Sequence, residues 1–90
     1  MDGRARVARN VRRLRVAAGL SQEAFAVDAG LDRTYISRIE RNLENPTVTA
    51  LEKIAKALGV DIVQLVASGP NLRGPLPTLR PGRKPRNDRR

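Results

Sequence analysis

The sequence has no cysteine, no histidine and no tryptophan, and it carries one phenylalanine, one tyrosine and one methionine. Each absence removes a class of chemistry. Without cysteine or histidine there is no thiolate nucleophile, no imidazole base and no nitrogen or sulfur zinc site. Cysteine, Ser/His/Asp and zinc-hydrolase mechanisms are therefore excluded. A disulfide-stapled secreted miniprotein is excluded as well, so the fold must hold by packing. No apolar run approaches the ~18 residues that span a bilayer. The first ten residues, Met1 to Asn10, are polar and arginine-rich with no hydrophobic signal core. The expectation is a cytoplasmic protein with no membrane partner. Ninety residues make one small domain, and a chain of that size buries roughly 60% of its unfolded surface, leaving little room for an enclosed substrate pocket. With neither a pocket nor a titrating group in view, the chain reads as a non-enzyme with no cofactor and no metal.

What the sequence has in excess is positive charge: 18 Lys and Arg stand against 9 Asp and Glu, a formal net charge of +9. A strongly basic chain most often meets an acidic polymer, with nucleic acid the default and an anionic membrane surface second. The charge is unevenly spread. Residues 1–67 hold 11 basic and 8 acidic residues, whereas 68–90 hold 7 basic, 1 acidic and five of the six prolines. The second segment has three leucines and no other large apolar side chain, too little to offset its ordering entropy. Two parts are expected: a folded domain over 1–67 and a disordered basic tail over 68–90.

The first part reads as five short helices forming an all-α bundle. From about Arg4 to Ala18, Val7, Val11, Leu14 and Ala18 recur at helical spacing opposite Arg6, Arg9 and Arg13, and Gly19 ends the run. Ser21 is a suitable N-cap for a second helix, Gln22 to Ala29, with Phe25, Ala26 and Ala29 inward and Gly30 closing it. Asp32 caps a third helix to about Arg41, with Ile36 and Ile39 inward and Leu31 packing over the turn. Pro46 restricts its predecessor and Thr47 caps a fourth, whose stripe is Val48, Leu51, Ile54, Ala55 and Leu58. Asp61 starts a short fifth carrying Ile62, Leu65 and Val66. The third helix follows the second so closely that the two must cross steeply, as in a helix-turn-helix, and Ala26 is small enough to permit the approach. Any small bundle also needs tight turns and alanines, so spacing by itself leaves both readings open.

The stretch LSQEAFAVDAGLDRTYISRIERNLENPTVTALEKIAKALGV, Leu20 to Val60, resembles the Cro and phage-repressor family of helix-turn-helix DNA-binding domains, the XRE type. With the first and fifth helices the likeness covers about two-thirds of the chain. Departures are small: Phe25 stands for an aliphatic residue, Val27 and Asp28 for a charged pair, and Asn42 for a frequent glycine. Asn42 tolerates the left-handed backbone that such a turn requires.

The resemblance implies a lambda-repressor-like fold, with helix 32–41 in the major groove of double-stranded DNA. Arg33, Thr34, Ser37 and Arg38 leave the face opposite Ile36 and Ile39 and are the expected base readers; arginine is the natural bidentate partner of guanine. Phosphate contact or plain solvation is the alternative for each arginine. Gln22 is implied as a phosphate contact at the N-terminus of helix two. Arg41, Asn42 and Asn45 are implied along the sugar-phosphate backbone. Tyr35 is either partly buried at the helix junction or a phosphate contact. An acid beside a DNA face needs neutralising, and the resemblance pairs Glu40 with Arg15 in a structural salt bridge. Val60, Ile62, Leu65 and Val66 offer more apolar surface than one short helix needs, and the family commonly dimerises there. The alternative is that they close the monomer core.

These readings converge on a sequence-specific transcriptional regulator, a homodimer on a palindromic operator, with RNA polymerase or another protein as a further partner. LDRTYISRIERNLENP looks particularly like restriction-modification controller proteins, beside phage or plasmid repressors. Two other classes compete: a protein-interaction module, such as an antitoxin binding a toxin, with secondary DNA binding, and a nonspecific basic nucleic-acid binder. The second lacks the aromatic platforms that single strands stack on. RPGRKPR in the tail faintly resembles an AT-hook, but Pro81 and Lys84 interrupt the pattern, which favours nonspecific attraction to phosphate.

Overall fold

The computed structural model describes residues 2–68. The basic tail, with Arg80 to Arg86, lies outside the described residues apart from Ser68. The described residues form five helices: α1 (Gly3–Ala17), α2 (Gln22–Ala29), α3 (Arg33–Glu40), α4 (Val48–Leu58) and α5 (Val63–Val66). Each boundary has a local cause. Asp2 caps α1 by accepting from the Ala5 amide, and Ser21, Asp32 and Thr47 do the same for α2, α3 and α4. The Thr47 hydroxyl accepts from the Ala50 amide at 3.0 Å. Replacing Thr47 with alanine is expected to cost about 1 kcal/mol, seen as a lower midpoint in urea unfolding with unchanged helix content.

At the other ends the chain turns through the left-handed region. Gly30 has φ 68°, which lets the Leu31 amide reach the Ala26 carbonyl at 3.0 Å and leaves only three residues, Gly30 to Asp32, between α2 and α3. After α3 the same closure uses Asn42 at φ 60°, with the Leu43 amide on the Arg38 carbonyl at 2.8 Å. Asparagine therefore fills the glycine position, as expected of its tolerance for this backbone.

Val7, Val11, Phe25, Ala26, Ile36, Ile39, Leu51, Ile54, Ala55 and Leu65 pack into one core. α2 meets α3 and α4, and α1 lies against α3, α4 and α5. Burial of these side chains, at roughly 25 cal/mol per Å² of apolar area removed from water, is the main force holding elements too short to persist alone.

Three details differ from the periodicity. Ala18 is exposed and follows the end of α1, while Ala8 and Asn10 are buried instead. Val48 is exposed because the first residue of α4 projects past the core, and Ala50 takes the inward position. Arg6 is not opposite the apolar stripe: it is half-buried, and its Nε is enclosed without a hydrogen-bond partner among the described residues. The fifth helix starts at Val63, after Asp61, whose carboxylate accepts from the Val63 amide at 2.9 Å. No described helix is long and apolar enough to cross a membrane.

Candidate nucleic-acid interface

The α2–α3 pair is positioned from inside by Phe25, Ala26, Ile36 and Ile39. With Ile36 and Ile39 inward, the 3.6-residue repeat sends Arg33, Thr34 and Arg38 outward, and all three are exposed. Ser37 is half-buried, closer to the core than its three companions. Tyr35 is half-buried and packs against the core cluster.

Behind this face lies a charged knot. Arg15 Nε donates to Glu40 Oε2 at 2.6 Å and Arg15 Nη2 donates to Glu40 Oε1 at 3.0 Å, a bidentate pair. Arg15 Nη1 also donates to the Leu20 carbonyl at 2.7 Å, and Gln22 Nε2 donates to Glu40 Oε1 at 3.1 Å. The Glu40 side chain is 1% exposed. The hydrogen bond to Glu40 raises the Arg15 pKa from its ordinary value; burial opposes this and the Glu40 charge adds to it. The end of α1, the start of α2 and the end of α3 are thereby fixed to one another. The salt bridge expected between Arg15 and Glu40 is formed, and Gln22 is its third member.

A second arginine repeats part of this arrangement in the open. Arg38 Nε donates to Glu44 Oε1 at 3.0 Å and Arg38 Nη2 donates to the Leu43 carbonyl at 2.8 Å. In the loop after α3, Arg41 and Asn45 are exposed. Asn42 is half-buried with its Oδ1 enclosed and without a hydrogen-bond partner among the described residues, so its carbonyl end is turned away from solvent.

At the far end of the bundle the expected dimer residues divide. Leu65 is fully buried and closes the monomer core, which corrects its assignment to an intersubunit surface. Val60 and Ile62 are half-buried against the core, while Val66 is exposed along with Val63, which the sequence reading omitted. Sequence reasoning also missed Asn10 and Glu44. Asn10 sits three residues after Val7, in the register of the apolar stripe, and a polar residue there was the available signal. Glu44 gave none, because its contact depends on the path of the loop.

No three of His, Cys, Asp and Glu gather to hold a metal ion among the described residues. The arrangement can do something else. It presents exposed donors on a short helix whose backbone is fixed by a core and a buried ion pair, which suits recognition of an acidic polymer.

Comparison with known proteins agrees. The family described as Helix-turn-helix matches residues 11–65. A hypothetical transcription factor of Neisseria meningitidis is 49% identical over 65 residues, covering 72% of this chain and 61% of its own length. Control protein C.SmaI of Serratia marcescens is 42% identical over 66 residues, covering 73% of this chain and 79% of its own. The structure of C.Esp1396I bound to a 19 base pair DNA duplex superimposes with a TM-score of 0.66 at 40% identity, covering 72% of this chain and 87% of that one. The chain belongs to the XRE-type helix-turn-helix family of transcriptional regulators, beside restriction-modification controller proteins and phage repressors.

Proposed function

We propose that this protein binds double-stranded DNA sequence-specifically, as a cytoplasmic homodimer on a palindromic operator, with α3 in the major groove. The observation that carries the reading is the exposed Arg33, Thr34 and Arg38 on a helix anchored by Ile36, Ile39 and the buried Glu40 pair. That C.Esp1396I, a relative by sequence and fold, has a structure bound to a duplex supports it.

Arg33 is the leading base reader. It stands at the first turn of α3, where the helix N-terminus also favours phosphate, and no side chain of the described residues ties it down by a hydrogen bond or salt bridge. Thr34 and Ser37 contribute shorter-range contacts, and Arg38 reads from the last turn. Gln22, Tyr35, Arg41, Asn42 and Asn45 set the register on the backbone, Gln22 through its link to Glu40. Dimer contact falls to Val63 and Val66, with Val60 and Ile62 beside them, and would set two recognition helices about one DNA turn, ~34 Å, apart. RNA polymerase or another protein bound at the operator is the further partner of such a regulator.

Replacing Arg33 with alanine is expected to weaken binding to an enriched duplex by ~1–3 kcal/mol and to erase preference at one base pair per half-site. Titration of the variant against duplexes altered at each position checks this. An equal loss of affinity for all sequences would instead make Arg33 a phosphate contact.

A further inference from the structure

We propose that Glu44 is a specificity-determining positioning residue, which acts by holding the Arg38 guanidinium so that one fixed edge faces DNA. The inference rests on the reading of α3 as the DNA-recognition helix.

Arg38 is gripped at two points by the loop that follows its own helix. The Leu43 amide donates to the Arg38 carbonyl, and Arg38 Nη2 donates back to the Leu43 carbonyl at 2.8 Å. Glu44 Oε1 takes the neighbouring Nε–H at 3.0 Å. Arg15 stands at the equivalent place at the end of α1. There the Leu20 amide donates to the Arg15 carbonyl, Arg15 Nη1 donates to the Leu20 carbonyl, and a glutamate completes the set. The chain thus uses the same set of partners twice: an arginine two residues before the last residue of a helix, a return bond to the carbonyl beyond the turn, and a glutamate. At Arg15 it is buried. At Arg38 it is open, with the two side chains 45% and 30% exposed.

Exposure changes the consequence. An open ion pair adds little to stability, but it can select one orientation of a long side chain. A guanidinium has five N–H donors in a planar fork. Glu44 takes the Nε–H and Leu43 one of the two Nη2 hydrogens. Nη1 keeps both of its hydrogens and Nη2 keeps one, donors of the kind that guanine O6 and N7 accept. Without Glu44 the arginine can swing toward a phosphate, which attracts it without reference to sequence. The glutamate also places a negative charge beside the DNA face, lowering affinity for every sequence alike. Discrimination at the cost of general affinity is therefore the expected signature.

The test uses the full chain and Glu44→Gln, which keeps the size and an acceptor while removing the charge. Arg38→Ala and the double variant complete the set. Affinities are measured for a duplex enriched from a random pool, for its single-base-pair variants and for unrelated DNA, and helix content by circular dichroism verifies folding. Glu44→Gln is expected to lower discrimination at one base pair per half-site by about fivefold or more, and to raise affinity for unrelated DNA several-fold. In the Arg38→Ala background the same change should leave discrimination untouched. Discrimination within twofold of the natural protein at every position overturns the proposal, as does an equal loss with and without Arg38. A natural protein that enriches no sequence at all overturns this inference and the recognition-helix reading together. One that enriches a sequence indifferent to Glu44 overturns this inference alone.

Discussion

Replacing Arg15 with alanine is expected to destabilise the fold by about 3–5 kcal/mol, the range for breaking a buried ion pair from one side. The loss comes from what is left behind. The Glu40 side chain is 1% exposed, and its carboxylate would retain the Gln22 amide at 3.1 Å but lose both guanidinium contacts. The Leu20 carbonyl would also lose its donor. An arginine titrates only above the physiological range, and its raised pKa means that the stabilisation is fully present at every pH below the unfolded arginine's pKa and is lost only at extreme alkalinity. The destabilisation should thus be insensitive to pH around neutrality as far as Arg15 sets it. Because α1, α2 and α3 are joined through this knot, DNA affinity is expected to fall with stability. Arg15→Met combined with Glu40→Leu should recover most of the stability, since a well-packed apolar pair can replace a buried salt bridge. Urea unfolding of the single and double variants tests both statements. A double variant as unstable as Arg15→Ala would show that shape, and not the orphaned carboxylate, sets the cost.

The second large effect is expected at Asn10, which is 1% exposed. Its Nδ2 donates to the Leu65 carbonyl at 3.0 Å and to the Ala67 carbonyl at 2.8 Å, and its Oδ1 accepts from Arg13 at a longer 3.4 Å. α5 has four residues, braced locally by the Asp61 carboxylate on the Val63 amide and the Gln64 side-chain oxygen on the Asp61 amide, and so short a helix cannot persist without help from the rest of the fold. Asn10 provides that help from α1 while Leu65 seats the helix in the core. Asn10→Ala leaves the buried Leu65 carbonyl and the part-buried Ala67 carbonyl without this donor; at ~1–3 kcal/mol for the first and less for the second, about 2–4 kcal/mol is expected in total. Asn10→Asp should be worse, because a carboxylate facing carbonyl oxygens offers acceptors where donors are needed. Hydrogen exchange should quicken first in α5, ahead of α2 and α3. If exchange in α5 stayed unchanged in Asn10→Ala, the hook would not be what holds it. Loosening Val63 and Val66 should also weaken self-association, provided the dimer forms there.

Helix boundaries were legible because their causes are local. Ser21, Asp32 and Thr47 cap the helices that follow them, and Gly19, Gly30 and Asn42 take the left-handed backbone at the stops. Inward faces were legible for Phe25, Ile36 and Ile39, which sit in mid-helix with neighbours on each side. Ala18 and Val48 failed at helix ends, where the repeat continues but the core does not. Side-chain termini were the hardest part. Sequence fixes where Gln22 and Arg38 leave the backbone, whereas their long, flexible ends settle on whichever acceptor the fold brings near, here Glu40 and Glu44. The Arg15–Glu40 pair joins residues 25 apart and was anticipated through family resemblance, since nothing in either neighbourhood announces the other.

The most direct test of α3 as a sequence reader is to offer the purified full chain a random pool of duplexes at roughly physiological salt and sequence what it retains. Enrichment of an inverted repeat is expected, with half-site centres about one helical turn apart, ~34 Å. Retention without a common sequence, lost steeply as salt rises, would contradict it and make charge alone the basis of binding.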